Sequence, residues 1–269
     1  MGGTEVTIEL KVRWKEPVQL DDIDVSTNLL KDELQALEVW PFVIFRAPAG
    51  FGKTYNVLVD AKKKGYDAYV QECSGDMGFY DLIGAPIQDG QGGAVYQAGQ
   101  VASAVHRAQE GHKTVLIMDE INLLPANVLK DIGSVLDFRH WVDTPIGRLY
   151  GNKHLMVVGT ANSEMESAGF ELDVALQSRA VIFTMAPKDM ASRMKEAKFV
   201  DNSGERLVGD TGGLYSLREI QQVQALVPVY GKKRAMKIIV NKWTDPEKIK
   251  KLTNAISVIY GKDKAAEML

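Results

Sequence analysis

Four side chains in this sequence, Lys53, Thr54, Asp119 and Glu120, are of the types that together hold a polyphosphate and its metal ion. The first two close the stretch Ala47-Pro48-Ala49-Gly50-Phe51-Gly52-Lys53-Thr54. Unpaired amides of such a turn, and of the helix that it opens, point at an anion; the helix dipole favours negative charge, and a lysine adds a full positive one. Gly50 and Gly52 let the backbone approach without an intervening Cβ, so Ala49, Gly50, Phe51, Gly52, Lys53 and Thr54 form the candidate phosphate cradle. Lys53 would reach the β- and γ-phosphates, and the Thr54 hydroxyl would bind Mg²⁺. Downstream, Asp119 would complete the Mg²⁺ shell and Glu120 would orient and polarise an attacking water. Two acids in a row also suit a helix N-cap, an alternative that the upstream loop makes remote. Loops of this kind usually begin with glycine; Ala47 stands there instead, so the first bend is expected to differ slightly.

These groups meet only if regular elements carry them to one place. The cradle follows the apolar run Phe42–Phe45 and opens onto a stretch with Val57, Leu58 and Ala61 at helical spacing, which gives strand, turn, helix. Asp67–Cys73 reads as a second strand, with Cys73 as a small core residue. Thr114–Met118 is nearly continuously apolar, as expected of a strand buried on both faces of a parallel sheet, and it delivers Asp119 and Glu120 at its C-terminal end, where ligands of open α/β sheets bind. Leu155–Thr160 is another such strand, ending at Ala161-Asn162; the Asn162 amide is suited to the γ-phosphate or the lytic water, with a turn former as its bland alternative. Ala180–Phe183 completes the set. The expected fold is α/β, a parallel sheet flanked by helices.

Elsewhere the pattern predicts an N-terminal arm over 1–40, with a strand in Val6–Arg13 and a helix marked by Leu29, Leu30, Leu34 and Leu37 behind the caps Ser26, Thr27 and Asn28. Ser74 to Gly99 is rich in glycine, has no clear period, carries Phe79, Tyr80 and Tyr96, and reads as a long loop. Val101, Ala104, Val105 and Ala108 mark a helix that stops at Gly111, Pro125 to Phe138 reads as an amphipathic helix, and Trp141 to Tyr150 reads as a hairpin around Pro145 and Gly147. The α/β unit is expected over 41–186. A small all-α domain follows over 187–269, with helices from Ser216, over 235–240 and over 246–260.

Composition bounds the rest. With 269 residues, 45% of them hydrophobic, the chain can bury a sizeable core. A net charge of -3 provides no global field towards nucleic acid or anionic lipid. Lys62-Lys63-Lys64 and Lys232-Lys233-Arg234 are basic clusters, solvated helix ends by default and nucleic-acid patches in the sharper reading. No apolar run reaches the roughly 18 residues of a membrane span, and the first residues lack the basic and apolar regions of a signal peptide. With Cys73 as the one cysteine, no internal disulfide can form, and a soluble protein of the cytoplasm is expected.

Taken in order, these motifs resemble the AAA+ ATPases, and within them the branch with the MoxR, CbbQ, gas-vesicle GvpN, McrB and dynein-related modules. The likeness spans about residues 40 to 225 and is strongest at Asp81-Leu82-Ile83-Gly84, Ile117-Met118-Asp119-Glu120-Ile121-Asn122 and Leu172 to Arg179. It implies a P-loop NTPase fold with a helical lid, and ATP, or GTP as in McrB-like members, with Mg²⁺ as cofactor. It also implies that Ala47 to Thr54 is the Walker A loop, Asp119 and Glu120 Walker B, and Asn162 sensor 1. Arg179 resembles the arginine finger that reaches a neighbouring subunit's γ-phosphate, and Arg218 resembles sensor 2 of the lid; a surface ion pair is the alternative for each. A homo-oligomeric, hexameric ring acting on a protein client or adaptor is the leading expectation. A nucleic-acid motor, or the NTPase of a DNA-processing complex, is the second, and a nucleotide-gated scaffold the third.

Overall fold

Runs that read as strands buried on both faces do form such strands. In a computed structural model the described residues are 11–25, 28–90, 93–162, 171–185 and 217–231, with Arg234, Lys237, Ile238, Ile249 and Lys250 beyond them. In chain order the elements are β1 (Lys11–Arg13), α1 (Lys31–Leu34) continued by a 3-10 turn (Gln35–Glu38), β2 (Phe42–Ala47), α2 (Lys53–Lys64) and β3 (Asp67–Glu72). Then come α3 (Phe79–Ile83), β4 (Gly84–Gln88), β5 (Ala94–Ala98), α4 (Gln100–Gln109), β6 (Thr114–Asp119) and α5 (Ala126–Asp131). The last are β7 (Trp141–Thr144), β8 (Gly147–Tyr150), β9 (Leu155–Asn162), α6 (Val174–Arg179), β10 (Val181–Thr184) and α7 (Leu217–Tyr230).

Five strands make a parallel sheet in the order β10-β2-β9-β6-β3. Phe42, Val43, Ile44 and Phe45 of β2, an inner strand of that sheet, are all 0% exposed, as in a strand covered on both faces. Each such side chain contributes about 1.5–3 kcal/mol on burial. Val101, Ala102, Ala104, Val105 and Ala108 of α4 are equally buried, and the small residues let that helix lie close against β3 and β6. Parallel pairing aligns the strand ends: Ala47 stands opposite Asn162, and Glu72 opposite Asp119. The C-terminal edge of the sheet therefore collects the candidate residues carried by β2, β6 and β9.

Three expectations change. Ser74 to Gly99 is not one long loop: α3, β4 and β5 lie in it, and β5 joins β1 and β4 in a three-stranded sheet. Two glycines there serve contact rather than mobility, since a Cβ on Gly84 would lie 2.1 Å from the Gln97 carbonyl oxygen and one on Gly99 2.2 Å from that of Leu82. Tyr96 is a core residue, 0% exposed, its hydroxyl donating to the Ile83 carbonyl and pushed up to about 12 by burial. The helix expected over 125–138 stops at Asp131. From there the chain turns into the β7–β8 hairpin, with Ser134 Oγ donating to the Trp141 carbonyl at 2.8 Å and the Trp141 amide to that of Ser134 at 3.3 Å. Ile132, Val135 and Leu136 stay buried, so the spacing marked core positions without marking a continuous helix. In the arm the four leucines are buried, yet the helical segment is one α-turn followed by a 3-10 turn.

The hairpin Trp141 to Tyr150 forms as expected, with Asp143 opposite Arg148. Residues 1–10, the caps Ser26 and Thr27, residues 187–216, Lys232 and Lys233, and most of the helices expected over 235–240 and 246–260 lie outside the described residues.

Candidate functional site

The loop after β2 has the backbone its glycines allow, with φ of 77° at Gly50 and 71° at Gly52. Ala47 ends β2 in extended form and is fully buried, so the position where glycine is usual asks for no left-handed conformation here. Gly52 caps α2 directly, which turns the free amides of the first helical turn towards the loop. Lys53 Nζ curls back over that loop and donates to the carbonyls of Ala47 at 2.9 Å and Pro48 at 3.0 Å.

Across the sheet edge, Thr54 Oγ1 donates to Asp119 Oδ1 at 2.6 Å. The same carboxylate oxygen accepts the Thr160 hydroxyl at 2.5 Å, and the Glu120 amide donates to Thr160 Oγ1 at 3.0 Å. Glu120 takes φ 56° and ψ 44°, a left-handed conformation rare for a residue with a side chain and common where a site is held under strain. Asn162, 7% exposed, ends β9 opposite the root of the loop. The structure thus brings together the cradle residues, Thr54, Asp119, Glu120 and Asn162. A hydroxyl and a carboxylate within 2.6 Å of each other are hard oxygen donors of the kind that hold Mg²⁺ alongside substrate phosphates. Their chemistry fits that ion, although no group of three or more His, Cys, Asp or Glu side chains able to hold a metal occurs among the described residues. Burial, then the charges of Asp119 and Glu120, push the Cys73 thiol up, which leaves it a core group and no nucleophile.

The two arginines lie elsewhere. Arg179 ends α6, two residues before β10, and β10 runs parallel to β2 with Val181 opposite Val43. That puts it at the N-terminal edge of the sheet, about 20 Å by strand rise from the loop on its own chain. Trp40 Nε1, at the same edge, donates to the Arg179 carbonyl at 2.7 Å. The guanidinium donates to the Ala175 carbonyl at 2.8 Å and lies 3.7 Å from Asp137. Burial raises the Asp137 carboxyl, but hydrogen bonds from Arg139 and the charges of Arg139 and Arg179 outweigh it and hold the group below the usual carboxylate range. Arg218 stands in the first turn of α7.

Sequence reasoning passed over Thr160 and Asn56. A hydroxyl two residues before Asn162 at the end of a buried strand was the available signal for the first, and an amide beside Val57 on the inner side of α2 for the second. Asn56, 2% exposed, accepts the Leu29 amide at 2.7 Å and donates to the Gly52 carbonyl at 2.8 Å, so it ties the arm to the phosphate loop. Asn56→Ala is expected to cost about 1–3 kcal/mol in urea unfolding, because buried backbone groups lose their partners. An unchanged midpoint would show the arm to be held by its leucines alone.

A sequence profile of the AAA domain (dynein-related subfamily) matches residues 43–180, half of the chain and the whole segment from β2 to the end of α6. The chain belongs to that family. Members are nucleoside-triphosphate hydrolases with a P-loop, so this AAA protein binds nucleotide and hydrolyses it. No curated protein matches it. Among solved structures it is similar to a point mutant of RuvB from Thermotoga maritima, at 19% identity over 91% of this chain and 81% of that one, with a TM-score of 0.48. The RuvB Holliday junction branch migration motor of the same organism matches at 19% identity over 86% and 76%, with a TM-score of 0.46. A provisionally named ATPase of Cytophaga hutchinsonii matches at 14% over 91% and 79%, with a TM-score of 0.46. Among the described residues of this AAA protein, no helix is long and apolar enough to cross a membrane.

Proposed function

We infer that the chain is a ring-forming ATPase of the cytoplasm, hexameric in its working state, that couples Mg-ATP hydrolysis to remodelling of a protein partner. The same reading divides it into an arm over 1–40, a nucleotide-binding unit over 41–186 and a lid over 187–269. One observation supports it: Arg179 and the phosphate loop occupy opposite edges of one sheet, so Arg179 is out of reach of its own pocket and is free to serve that of a second copy. Exposed apolar side chains at the Arg179 edge, Val39 at 84% and Phe138 at 79%, flank a groove of about 760 Å³ and suit a face that another copy covers.

In this reading the loop amides and Lys53 bind the phosphates, and Thr54 and Asp119 would hold Mg²⁺, whose charge would offset that of the phosphates. Glu120 accepts the proton of the attacking water as the water oxygen bonds to the γ-phosphorus and the bond from that phosphorus to the β–γ bridging oxygen breaks, so that ADP and phosphate leave. Asn162 orients that water or the γ-phosphate, Arg179 of the neighbouring copy meets the spread negative charge, and Arg218 contacts nucleotide from the lid. Three basic residues that could serve nucleic acid are engaged within the chain. Lys62 donates to the Asp21 and Ile23 carbonyls, Lys64 pairs with Asp60 at 3.0 Å, and Arg148 pairs with Asp143 and lies 3.8 Å over the Trp141 ring.

Sedimentation of the Glu120→Gln form tests the reading. With Mg-ATP it is expected to run as a closed oligomer that dissociates on exchange into nucleotide-free buffer, and to retain a protein partner during purification. Sedimentation as a monomer under saturating nucleotide removes the ring.

A further inference from the structure

Thr160 touches none of the groups that would react, yet its hydroxyl is bonded on both sides. It is 0% exposed, its proton is directed to Asp119 Oδ1 at 2.5 Å, and its oxygen accepts the Glu120 amide at 3.0 Å. One hydroxyl on β9 therefore fastens two consecutive residues of β6 and the turn that follows it. In the proposed site these are the acid that would hold the metal and the acid that would take the proton of the water. Thr54 donates to the same Oδ1, so that oxygen takes two hydroxyls in this arrangement. Once Thr54 turns to serve a metal ion, Thr160 remains as the partner that keeps the carboxylate from rotating. Glu120 has the same need, because its left-handed backbone, at φ 56°, survives only where neighbours over-determine it. The amide bond to Thr160 and the bond from the Leu123 amide to the Glu120 carbonyl, at 2.9 Å, supply that constraint.

We propose that Thr160 is a positioning residue for hydrolysis: it sets the Asp119 carboxylate and the Glu120 backbone together, and touches neither nucleotide nor water itself. The role rests on the hydrolytic site described above. Valine keeps the shape of threonine and lacks the hydroxyl, whereas serine keeps the hydroxyl. Thr160→Val is therefore expected to lower kcat by about 10- to 100-fold, as removal of an outer partner of a metal-holding carboxylate does, with KM for ATP little changed. Thr160→Ser is expected to return kcat to near the native value. A second readout needs no turnover: the Glu120 amide of the valine form should exchange its hydrogen at least about tenfold faster, as a backbone group without its buried acceptor does.

A native kcat in the valine form overturns the role, as do equal losses in the valine and serine forms, which would make the methyl group the working part, or unaltered exchange at Glu120. Should the valine form fail to fold, Thr160→Ala paired with Thr160→Ser makes the same comparison. If the unaltered chain hydrolyses nothing, the hydrolytic reading fails on its own, and exchange at Glu120 still decides whether Thr160 fastens that backbone.

Discussion

Glu120→Gln is expected to bind Mg-ATP with essentially native affinity and to hydrolyse it about 10²–10⁴ times more slowly, the range that a positioned general base contributes. Glutamine has the shape of glutamate and the same left-handed backbone penalty of about 1–2 kcal/mol, so the exchange leaves the turn after β6 as it is. What goes is the ability to take a proton. Binding should persist because Lys53, the loop amides, Thr54 and Asp119 are untouched, and the bond that Glu120 makes to Thr160 comes from its backbone amide, which glutamine keeps. Phosphate release under steady state, read beside displacement of a fluorescent nucleotide, separates the two effects. Native turnover would remove Glu120 from the reaction and leave the acid to a structural role in the turn.

The three inner strands of the large sheet, β2, β9 and β6, were legible because parallel strands covered on both faces must be apolar throughout, and runs such as Phe42–Phe45 and Thr114–Met118 are too short for a buried helix and too apolar for a surface loop. The small sheet was hidden for the opposite reason. Its β4 holds Gly84 and Pro86, residues that argue against a strand when read locally, and the register of β5 with β1 joins positions far apart in sequence. Gly84 and Gly99 are there because two backbones nearly touch, a fact invisible until the fold brings them together. Spacing likewise cannot distinguish a long helix from a short one followed by a turn with the same residues inward, which is how Ile132, Val135 and Leu136 misled.

At the site, residues with charge or a special backbone were legible, since a lysine after glycines and two acids after an apolar run have a chemical reading by type alone. Thr160 and Asn56 were not, because a hydroxyl or an amide inside an element is defined by what lies across from it. Parallel register supplies that partner: Asn162 reaches the root of the phosphate loop through β2, and Thr160 reaches Asp119 because β9 lies beside β6. The ordering of strands thus turns separate sequence signals on β2, β6 and β9 into one edge.

The same ordering sets the strongest test of assembly. Arg179→Ala is expected to lower hydrolysis by about 10³-fold or more, the worth of an arginine given to the transition state. Unfolding cannot account for such a loss: the guanidinium is about a third exposed, its approach to Asp137 is a surface pair worth about 1 kcal/mol or less, and the bond from Trp40 is to the backbone carbonyl, which alanine keeps. Asp137 also retains Arg139 at 2.8 Å. Mixing then discriminates where the arginine acts. Chains with Lys53→Ala bind nucleotide poorly but still carry Arg179, and chains with Arg179→Ala bind nucleotide but give no arginine; each alone should be nearly inactive. Where an Arg179→Ala site abuts a Lys53→Ala neighbour, the pocket is complete, so the mixture should regain measurable activity. If the mixture stays as inactive as its parts while co-sedimenting, Arg179 does not act across the interface, and its contacts with Asp137 and Ala175 are the whole of its role.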